Sequence, residues 1–423
     1  MAATITPAVL NVRILLALAI VVVASRLAGW AISKIGQPTV HGEILSGIVL
    51  GPSVLGTVWP QALAYVFPTP VIGVLKVIAQ VGIVLFMFLV GLSLDLDRLR
   101  GNGTKAVVIS HASIFTPLVL GGLLSLWLYP RLGGHVDRLG FALFMGAAMA
   151  ITAFPVLARV LQETGLTGTR IGTLAITCAA VDDVTAWCLL AVVVALLRSS
   201  GATDAVKTIV LSVGFVVLMI RVVKPLLLRL TTIPLWLGIC LPLLAGWATE
   251  QIGIHAIFGA FMAGAVMPHN AMVQREIRER LEHVTIALLL PVFFVVVGLA
   301  TRVDTLDSAY LWGLTGLVIL TAIVGKWGGS MLAARAMKET WGDAAAIGIL
   351  MNTRGLTELI ILTVGLQLGV ITTTVFTIMV LMALVTTLMA TPMLALFSPI
   401  YHRGQTAEVA RAAATGEGVE RSG

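Results

Sequence analysis

The chain has 423 residues, of which 58% are hydrophobic and only 11% are charged, whereas a soluble domain carries about 25% charged residues. A soluble fold cannot bury so much apolar side chain, so the excess must face lipid. The net charge of +7 would suggest a nucleic acid partner in a soluble protein, but basic residues in a membrane protein gather in the cytoplasmic loops. We therefore expect a lipid bilayer around the chain and no nucleic acid.

Apolar runs, separated by charges, Gly/Pro clusters and polar stretches, predict an all-α polytopic protein with about thirteen transmembrane helices, because each crossing needs about 20 apolar residues. The predicted spans are 9–30, 43–59, 71–94, 106–128, 139–161, 171–197, 208–230, 235–249, 254–268, 285–299, 310–334, 344–368 and 371–397. The transmembrane domain then covers residues 1–400, and the polar tail 401–423 is predicted to be short, cytoplasmic and disordered.

Lysine and arginine are distributed unevenly between the loops on the two sides of this arrangement. One set of alternate loops, together with the tail, holds most of them. Because positively charged loops stay in the cytoplasm, this predicts a multi-pass cell-membrane protein with its N-terminus outside and its C-terminus inside.

An internal duplication is visible in matching spans. Residues 86–92 in the third span and 293–299 in the tenth both read F-x-x-x-x-G-L, and the second and ninth spans each carry a histidine followed by glycine and proline. Inverted repeats of this kind are typical of secondary transporters. We predict repeat one at about 9–197, a linker helix at about 208–230 and repeat two at about 235–397.

The fifth and twelfth spans, which correspond in the two repeats, both contain an interruption. The fifth carries Thr152 and Pro155, and proline removes a backbone donor and so frees carbonyl groups in the membrane. The twelfth carries a polar stretch, Asn352, Thr353, Arg354 and Gly355. Each interruption alone fits either a cation site or a simple kink with polar helix packing. Their equivalent positions favour a site.

Two adjacent acids, Asp182 and Asp183, lie in the middle of the sixth span. Neighbouring helical residues point about 100° apart, so one carboxylate can face a cavity while the other faces a helix. Two close anions at low dielectric favour protonation of at least one of them. A carboxyl group of this kind can alternate between a proton and a cation near neutral pH. A helix cap or a buried salt bridge is the structural alternative.

Three further charged residues lie deep in predicted spans. Lys326 is near the middle of the eleventh span, too far from either end for easy snorkelling, and is a candidate partner for one aspartate or a structural salt bridge. Arg354 and Glu358 are four residues apart in the twelfth span and can pair on one helix face. They either line the ion route or neutralise the helix ends.

Five sequence strings together resemble the cation:proton antiporter-2 family, and especially its plant cation/H⁺ exchanger and bacterial Kef-like branches. The strings are GEILSGIVLGP at 42–52, TAFPVLARVL at 152–161, VDDVTAW at 181–187, LPVFF at 290–294 and LMNTRGLTEL at 350–359. They extend from the second span to the twelfth, so the resemblance covers nearly the whole membrane part.

The resemblance implies a sodium/proton antiporter fold with a dimerising panel part, a mobile core part and crossed broken helices beside the aspartate pair. It implies Asp183 as the main ion and proton carrier and Asp182 as the acid that pairs with Lys326. It also implies a homodimer. No cofactor is expected, and no metal beyond the transported monovalent cation.

We therefore expect a secondary transporter rather than an enzyme, which exchanges Na⁺ or K⁺ for H⁺ by alternating access. In this hypothesis Asp182, Thr152 and carbonyls freed near Pro155 and Asn352 assist Asp183. Proton-coupled efflux of an organic or ionophore-type solute, and a non-transporting sensor or channel, are the alternatives. An intramembrane aspartyl protease needs aspartates on separate helices, which the adjacent pair does not provide.

Overall fold

The computed structural model describes residues 6–35, 37, 39–93, 103–133, 136–164, 166, 169–198, 202–230, 233–268 and 271–397. Within these ranges the chain folds into helices and forms no strand. The predicted tail at 401–423 lies outside the described residues.

The helices follow one another with short connections. They are α1 (Pro7–Ser33), α2 (Thr39–Leu50), α3 (Leu55–Val58), α4 (Pro60–Val66), α5 (Thr69–Ser93), α6 (Gly103–Leu132), α7 (Arg138–Ala150), α8 (Phe154–Glu163), α9 (Arg170–Arg198), α10 (Ala202–Leu218), α11 (Lys224–Leu228), α12 (Leu235–Ile252), α13 (Ala256–Ala265), α14 (Ala271–Val284), α15 (Leu290–Ala300), α16 (Ala309–Ile323), α17 (Gly329–Ala336), α18 (Trp341–Met351), α19 (Leu356–Gln367), α20 (Thr373–Leu388) and α21 (Ala390–Phe397). Three π-helical turns, Met219–Val223, Thr285–Leu289 and Val324–Gly328, continue α10 into α11, α14 into α15 and α16 into α17.

Helix length and apolarity identify a multi-pass membrane protein. In the described part of the chain, nine helices are long and apolar enough to cross a bilayer, or ten when the bent pair α18 and α19 counts as one span. Helices α7 and α13 are also apolar, but with 13 and 10 residues they are too short to cross a bilayer alone. The all-helical transmembrane architecture predicted from the sequence is confirmed.

The predicted boundaries of the second span are wrong. The sequence favoured a helix over 43–59, but α2 starts at Thr39 and ends at Leu50, and α3 begins only at Leu55. The dipeptide Gly51-Pro52 follows α2 directly. A residue before proline avoids the helical region and proline has no backbone donor, so the helix ends there.

The helices form two groups by their packing. The panel helices, which pack on one another, are α1, α2, α5, α12, α13 and α15. The core helices form a second network of contacts that includes α6 and α9, and they are α6, α7, α8, α9, α16, α17, α18, α19, α20 and α21. Helix α10 contacts both α9 and α12, so the linker helix joins the two groups.

Two glycine crossings hold the panel helices together. A Cβ atom on Gly298 of α15 would lie 2.2 Å from the backbone carbon of Gly47 of α2. A Cβ atom on Gly264 of α13 would lie 2.1 Å from the carbonyl oxygen of Phe88 of α5, and one on Gly91 would lie 2.1 Å from the carbonyl oxygen of Phe261. The first crossing joins spans two and ten, and the second joins spans three and nine. The inverted repeats relate span two to span nine and span three to span ten. The two crossings are therefore equivalent contacts in the two repeats.

Replacing Gly298 with alanine is expected to destabilise the protein by at least about 1–3 kcal/mol, because the added methyl group meets backbone that cannot rotate away. Gly313 of α16 has no atom within 4 Å of an added Cβ, so Gly313→Ala is the matched control and should be neutral or slightly stabilising. Thermal unfolding of both variants in detergent compares them. Equal melting temperatures for the two would contradict the close crossing.

Candidate functional site

Two broken helices meet inside the core group. Helix α7 ends at Ala150 and α8 begins at Phe154, while α18 ends at Met351 and α19 begins at Leu356. The two gaps touch, because the backbone N–H of Ala153 donates to the carbonyl oxygen of Thr353 at 3.0 Å. The first gap precedes Pro155, which occupies the second position of α8. There a missing N–H interrupts no helical hydrogen bond.

Carbonyl groups freed by the gaps are satisfied by charged and polar side chains. Arg354 Nη2 donates to the carbonyl oxygen of Met149 at 2.7 Å, and Lys326 Nζ donates to that of Ala150. Thr152 Oγ1 lies 3.2 Å from the carbonyl oxygen of Met351. The C-terminal end of a helix carries partial negative charge. Lys326 and Arg354 therefore neutralise the end of α7 inside the membrane.

Both carboxylate oxygens of Asp182 accept hydrogen bonds, and one of them also pairs with a lysine. Its Oδ1 accepts a hydrogen bond from Ser110 Oγ at 2.5 Å. Its Oδ2 accepts from Ser113 Oγ at 3.0 Å and from Thr152 Oγ1 at 2.6 Å, and lies 3.3 Å from Lys326 Nζ. Asp182 and Lys326 are both completely buried. A buried ion pair is stable only when further hydrogen bonds satisfy its members, and the three hydroxyl groups supply them.

Sequence reasoning missed the two serines that hold Asp182. Ser110 and Ser113 both lie in α6 and are completely buried. Their spacing of three residues places them on one helix face. That spacing was the available signal, but serines in transmembrane helices commonly bond their own backbone instead.

Asp183 has a different environment from its neighbour. The side chain is 1% exposed, and neither carboxylate oxygen has a hydrogen-bond partner among the described residues. Adjacent positions on a helix point about 100° apart, which separates the two carboxylates as the sequence suggested. One aspartate is built into the core group, while the other keeps both oxygens available.

Asp183 shares a face of α9 with a residue that contacts a panel helix. Trp187 is one helical turn further along α9, on the same face. Its ring packs against Phe261 of the panel helix α13, with ring centroids 6.4 Å apart. The unpartnered carboxylate is therefore next to the boundary between the two helix groups, whereas Asp182 points back into the core group.

The remaining predicted residues surround the second gap. Asn352 caps the end of α18 and is buried, and its Oδ1 has no partner within the described part of the chain. Thr353 Oγ1 donates to the carbonyl oxygen of Leu350 at 2.8 Å, so its hydroxyl is satisfied locally. Gly355 precedes α19, and a Cβ atom there would approach Val156 Cγ2 to 2.8 Å. The crossing is therefore tightly packed at this glycine.

Arg354 and Glu358 form a buried pair at the start of α19. Arg354 Nη1 lies 3.3 Å from Glu358 Oε2, and both side chains are at most 1% exposed. The backbone of Arg354 is also fixed, since its N–H donates to Thr387 Oγ1 and its carbonyl accepts from the same hydroxyl, both at 2.8 Å. None of these contacts reaches Asp183, so the structure places the pair at the helix ends.

No group of three or more His, Cys, Asp or Glu residues is arranged to hold a metal ion in the part of the chain that the structure describes. The aspartate pair, the hydroxyl groups around it and the freed carbonyls form an oxygen-rich region in mid-membrane. Oxygen ligands suit hard cations and protons. The chemistry available here is reversible binding of such ions rather than bond making or breaking.

Comparison with known proteins agrees with this geometry. The profile of the family described as "Sodium/hydrogen exchanger, transmembrane" matches residues 18–397. The chain is 41% identical over 392 residues to the Na(+)/H(+) antiporter NhaS4 of Synechocystis, covering 90% of this chain and 96% of that protein. It is 40% identical to Cation/H(+) antiporter 19 of Arabidopsis thaliana, covering 90% of this chain and 49% of that protein. It thus spans about half the length of this plant relative.

A solved structure has the same fold. The sodium proton antiporter MjNhaP1 from Methanocaldococcus jannaschii matches with a TM-score of 0.68 over 92% of this chain and 98% of that one, at 15% sequence identity. The fold with two inverted repeats and crossed broken helices predicted from the sequence is therefore confirmed. The relatives are named as antiporters and not as enzymes. The chain belongs to the sodium/hydrogen exchanger family of transmembrane proteins.

Proposed function

We propose that this protein exchanges a monovalent cation, Na⁺ or K⁺, for H⁺ by alternating access, with Asp183 as the main carrier. The observation that carries the proposal is a buried carboxylate with no hydrogen-bond partner among the described residues, next to the boundary between the panel and core helices. An ionised carboxylate in such surroundings is costly unless a counter-charge or a proton compensates it. One site thus holds one ion or the other.

The exchange cycle follows from that competition. When the boundary opens to one side, Asp183 releases its proton and takes up the cation, and Asn352 Oδ1 and Thr152 are the candidate neighbouring ligands. The core helices then move against the panel helices and open the site to the other side, where protonation displaces the cation. An empty, ionised site crosses poorly because its charge is uncompensated, and this couples the two fluxes.

The names of the relatives support the same ions. One relative is named a Na(+)/H(+) antiporter, and the K(+)/H(+) antiporter 1 of Saccharomyces cerevisiae is 32% identical over 390 residues. We also propose that the chain lies in the cell membrane as a homodimer, with the N-terminus outside and the C-terminus in the cytoplasm. The distribution of Lys and Arg between the loops supports that orientation.

The test uses purified protein in liposomes that enclose a pH-sensitive dye. After an acid-inside gradient is formed, addition of Na⁺ or K⁺ outside should dissipate it, with saturation as the cation concentration rises. Uptake of labelled Na⁺ or Rb⁺ without any organic solute excludes organic efflux as the main activity. Cation flux that follows voltage without moving protons would indicate a channel and contradict the proposal.

A further inference from the structure

A second polar feature lies between the two helix groups, away from the aspartates. A cavity of about 190 Å³ is lined by Lys76 and Gln80 of α5, Phe293 of α15, Thr363 and Gln367 of α19 and Phe376 of α20, among others. Neither Asp182 nor Asp183 lines it. It therefore has contacts to both the panel helices and the core helices without being part of the carrier site.

Lys76 lies within α5, its side chain is exposed, and it is not part of the carrier site. It is the eighth residue of α5, which places it about 10 Å along the helix from its first residue. Within the described residues it has no ion pair and no hydrogen bond, in contrast to Lys326 and Arg354. A lysine within a transmembrane helix extends its ammonium group either to water or to a counter-ion.

The chemistry of the lining favours an anion. Among the described residues of the wall none is acidic, and Lys76 is accompanied by the carboxamides of Gln80 and Gln367 and the hydroxyl of Thr363. The ammonium ion and the two carboxamides supply hydrogen-bond donors, whereas the Thr363 hydroxyl already donates to the carbonyl oxygen of Leu359 at 2.8 Å. The rest of the wall is aliphatic and aromatic, including Phe293 and Phe376. Gln80 is four residues from Lys76 on the same helix face, so the two can bind one acid group together.

We infer that this cavity binds a small organic anion, whose acid group contacts Lys76 and whose apolar body packs between the panel and core helices. Its volume is below the ~300 Å³ at which sites for drug-sized ligands begin, so the ligand is small or is the end of a larger amphiphile. The shared chemistry fits a soluble anion or the headgroup region of an anionic lipid. A ligand that contacts both groups opposes their relative movement and so slows the exchange, a consequence that rests on the proposed function.

Binding is measured first without transport. Benzenesulfonate is charged at every accessible pH, and benzenesulfonamide is its neutral counterpart. Benzenesulfonate should raise the melting temperature of the detergent-solubilised protein with saturation. The sulfonamide should bind at least about tenfold more weakly, because hydrogen bonds to a charged group are stronger than hydrogen bonds to a neutral one. Lys76→Gln should weaken sulfonate binding by a similar factor. Lys207→Gln, at an exposed lysine of α10 that does not line the cavity, should bind as the wild type does.

Transport assays then distinguish a soluble anion from an anionic lipid as the natural ligand. In phosphatidylcholine liposomes, benzenesulfonate should slow cation-driven proton movement by the wild type but not by Lys76→Gln. If the natural ligand is a lipid, adding phosphatidylglycerol should have the same Lys76-dependent effect. Equal responses of wild type and Lys76→Gln, or no response to either anion in any assay, would overturn the inference. A protein that binds the sulfonate but exchanges no cation refutes only the proposed function.

Discussion

Asp183→Asn protein is expected to show no cation-driven proton movement above protein-free liposomes, while its melting temperature stays at or above that of the wild type. Asparagine can carry neither a removable proton nor the charge that binds a cation. Because no hydrogen bond to the Asp183 carboxylate exists among the described residues, the substitution breaks none there. It also removes a buried charge that is costly when ionised.

Exchange activity and melting temperature must be interpreted together. Asp204→Asn changes an acid on the exposed part of α10 and should exchange as the wild type does. Asp183→Asn protein that remains folded and still exchanges would refute the role given to Asp183. Loss of both folding and exchange would show instead that the carboxylate stabilises the structure, although it has no hydrogen-bond partner in the described part of the chain.

Removing Lys326 should cause a large loss of stability, in contrast to Asp183→Asn, which should cause none. Lys326→Met keeps much of the side-chain volume but leaves Asp182 buried without its counter-charge and removes a donor from the carbonyl of Ala150. Breaking a buried pair from one side costs about 3–5 kcal/mol. Thermal unfolding in detergent measures the loss.

The double variant Asp182→Asn with Lys326→Met provides the control. It removes both charges, so it should be more stable than Lys326→Met alone, and comparison with both single variants, Lys326→Met and Asp182→Asn, gives the coupling between the two side chains. The hydroxyl groups of Ser110, Ser113 and Thr152 can still bond the asparagine oxygen. If Lys326→Met unfolds at the wild-type temperature, the pair contributes little to stability and the assignment of Asp182 to the core group is wrong.

Much of the fold was predictable because the bilayer imposes simple rules on the sequence. Apolar runs of fixed length gave the spans, and equivalent glycines such as Gly91 and Gly298 marked the inverted repeats. The end of α2 was missed because hydropathy alone extends through Gly51-Pro52, where backbone geometry and not polarity ends the helix. Boundaries of this kind depend on one or two residues and are lost in a broad apolar signal.

The site was predictable in its charges and less so in its neutral partners. Asp182, Asp183 and Lys326 are costly in a membrane and are therefore conspicuous in the sequence. Ser110 and Ser113 are not, since a serine in an apolar helix costs little and usually bonds to its own backbone. Lys76 was overlooked because lysines near a helix start commonly snorkel to the surface. Its position in a cavity between helix groups depends on long-range packing that no local pattern contains.

The hydrogen bond from Ala153 to Thr353 joins the two repeats at their centre. Together with the hydrogen bond from Arg354 to the carbonyl oxygen of Met149, it connects the two non-helical segments, so the crossed helices are held together as one unit. In the proposed cycle, movement that exposes Asp183 therefore displaces both pairs of broken helices together, with Asp182 and Lys326 between them. The boundary that this unit crosses includes the contact between Trp187 of α9 and Phe261 of α13, so bulky rings must pass one another there during each cycle.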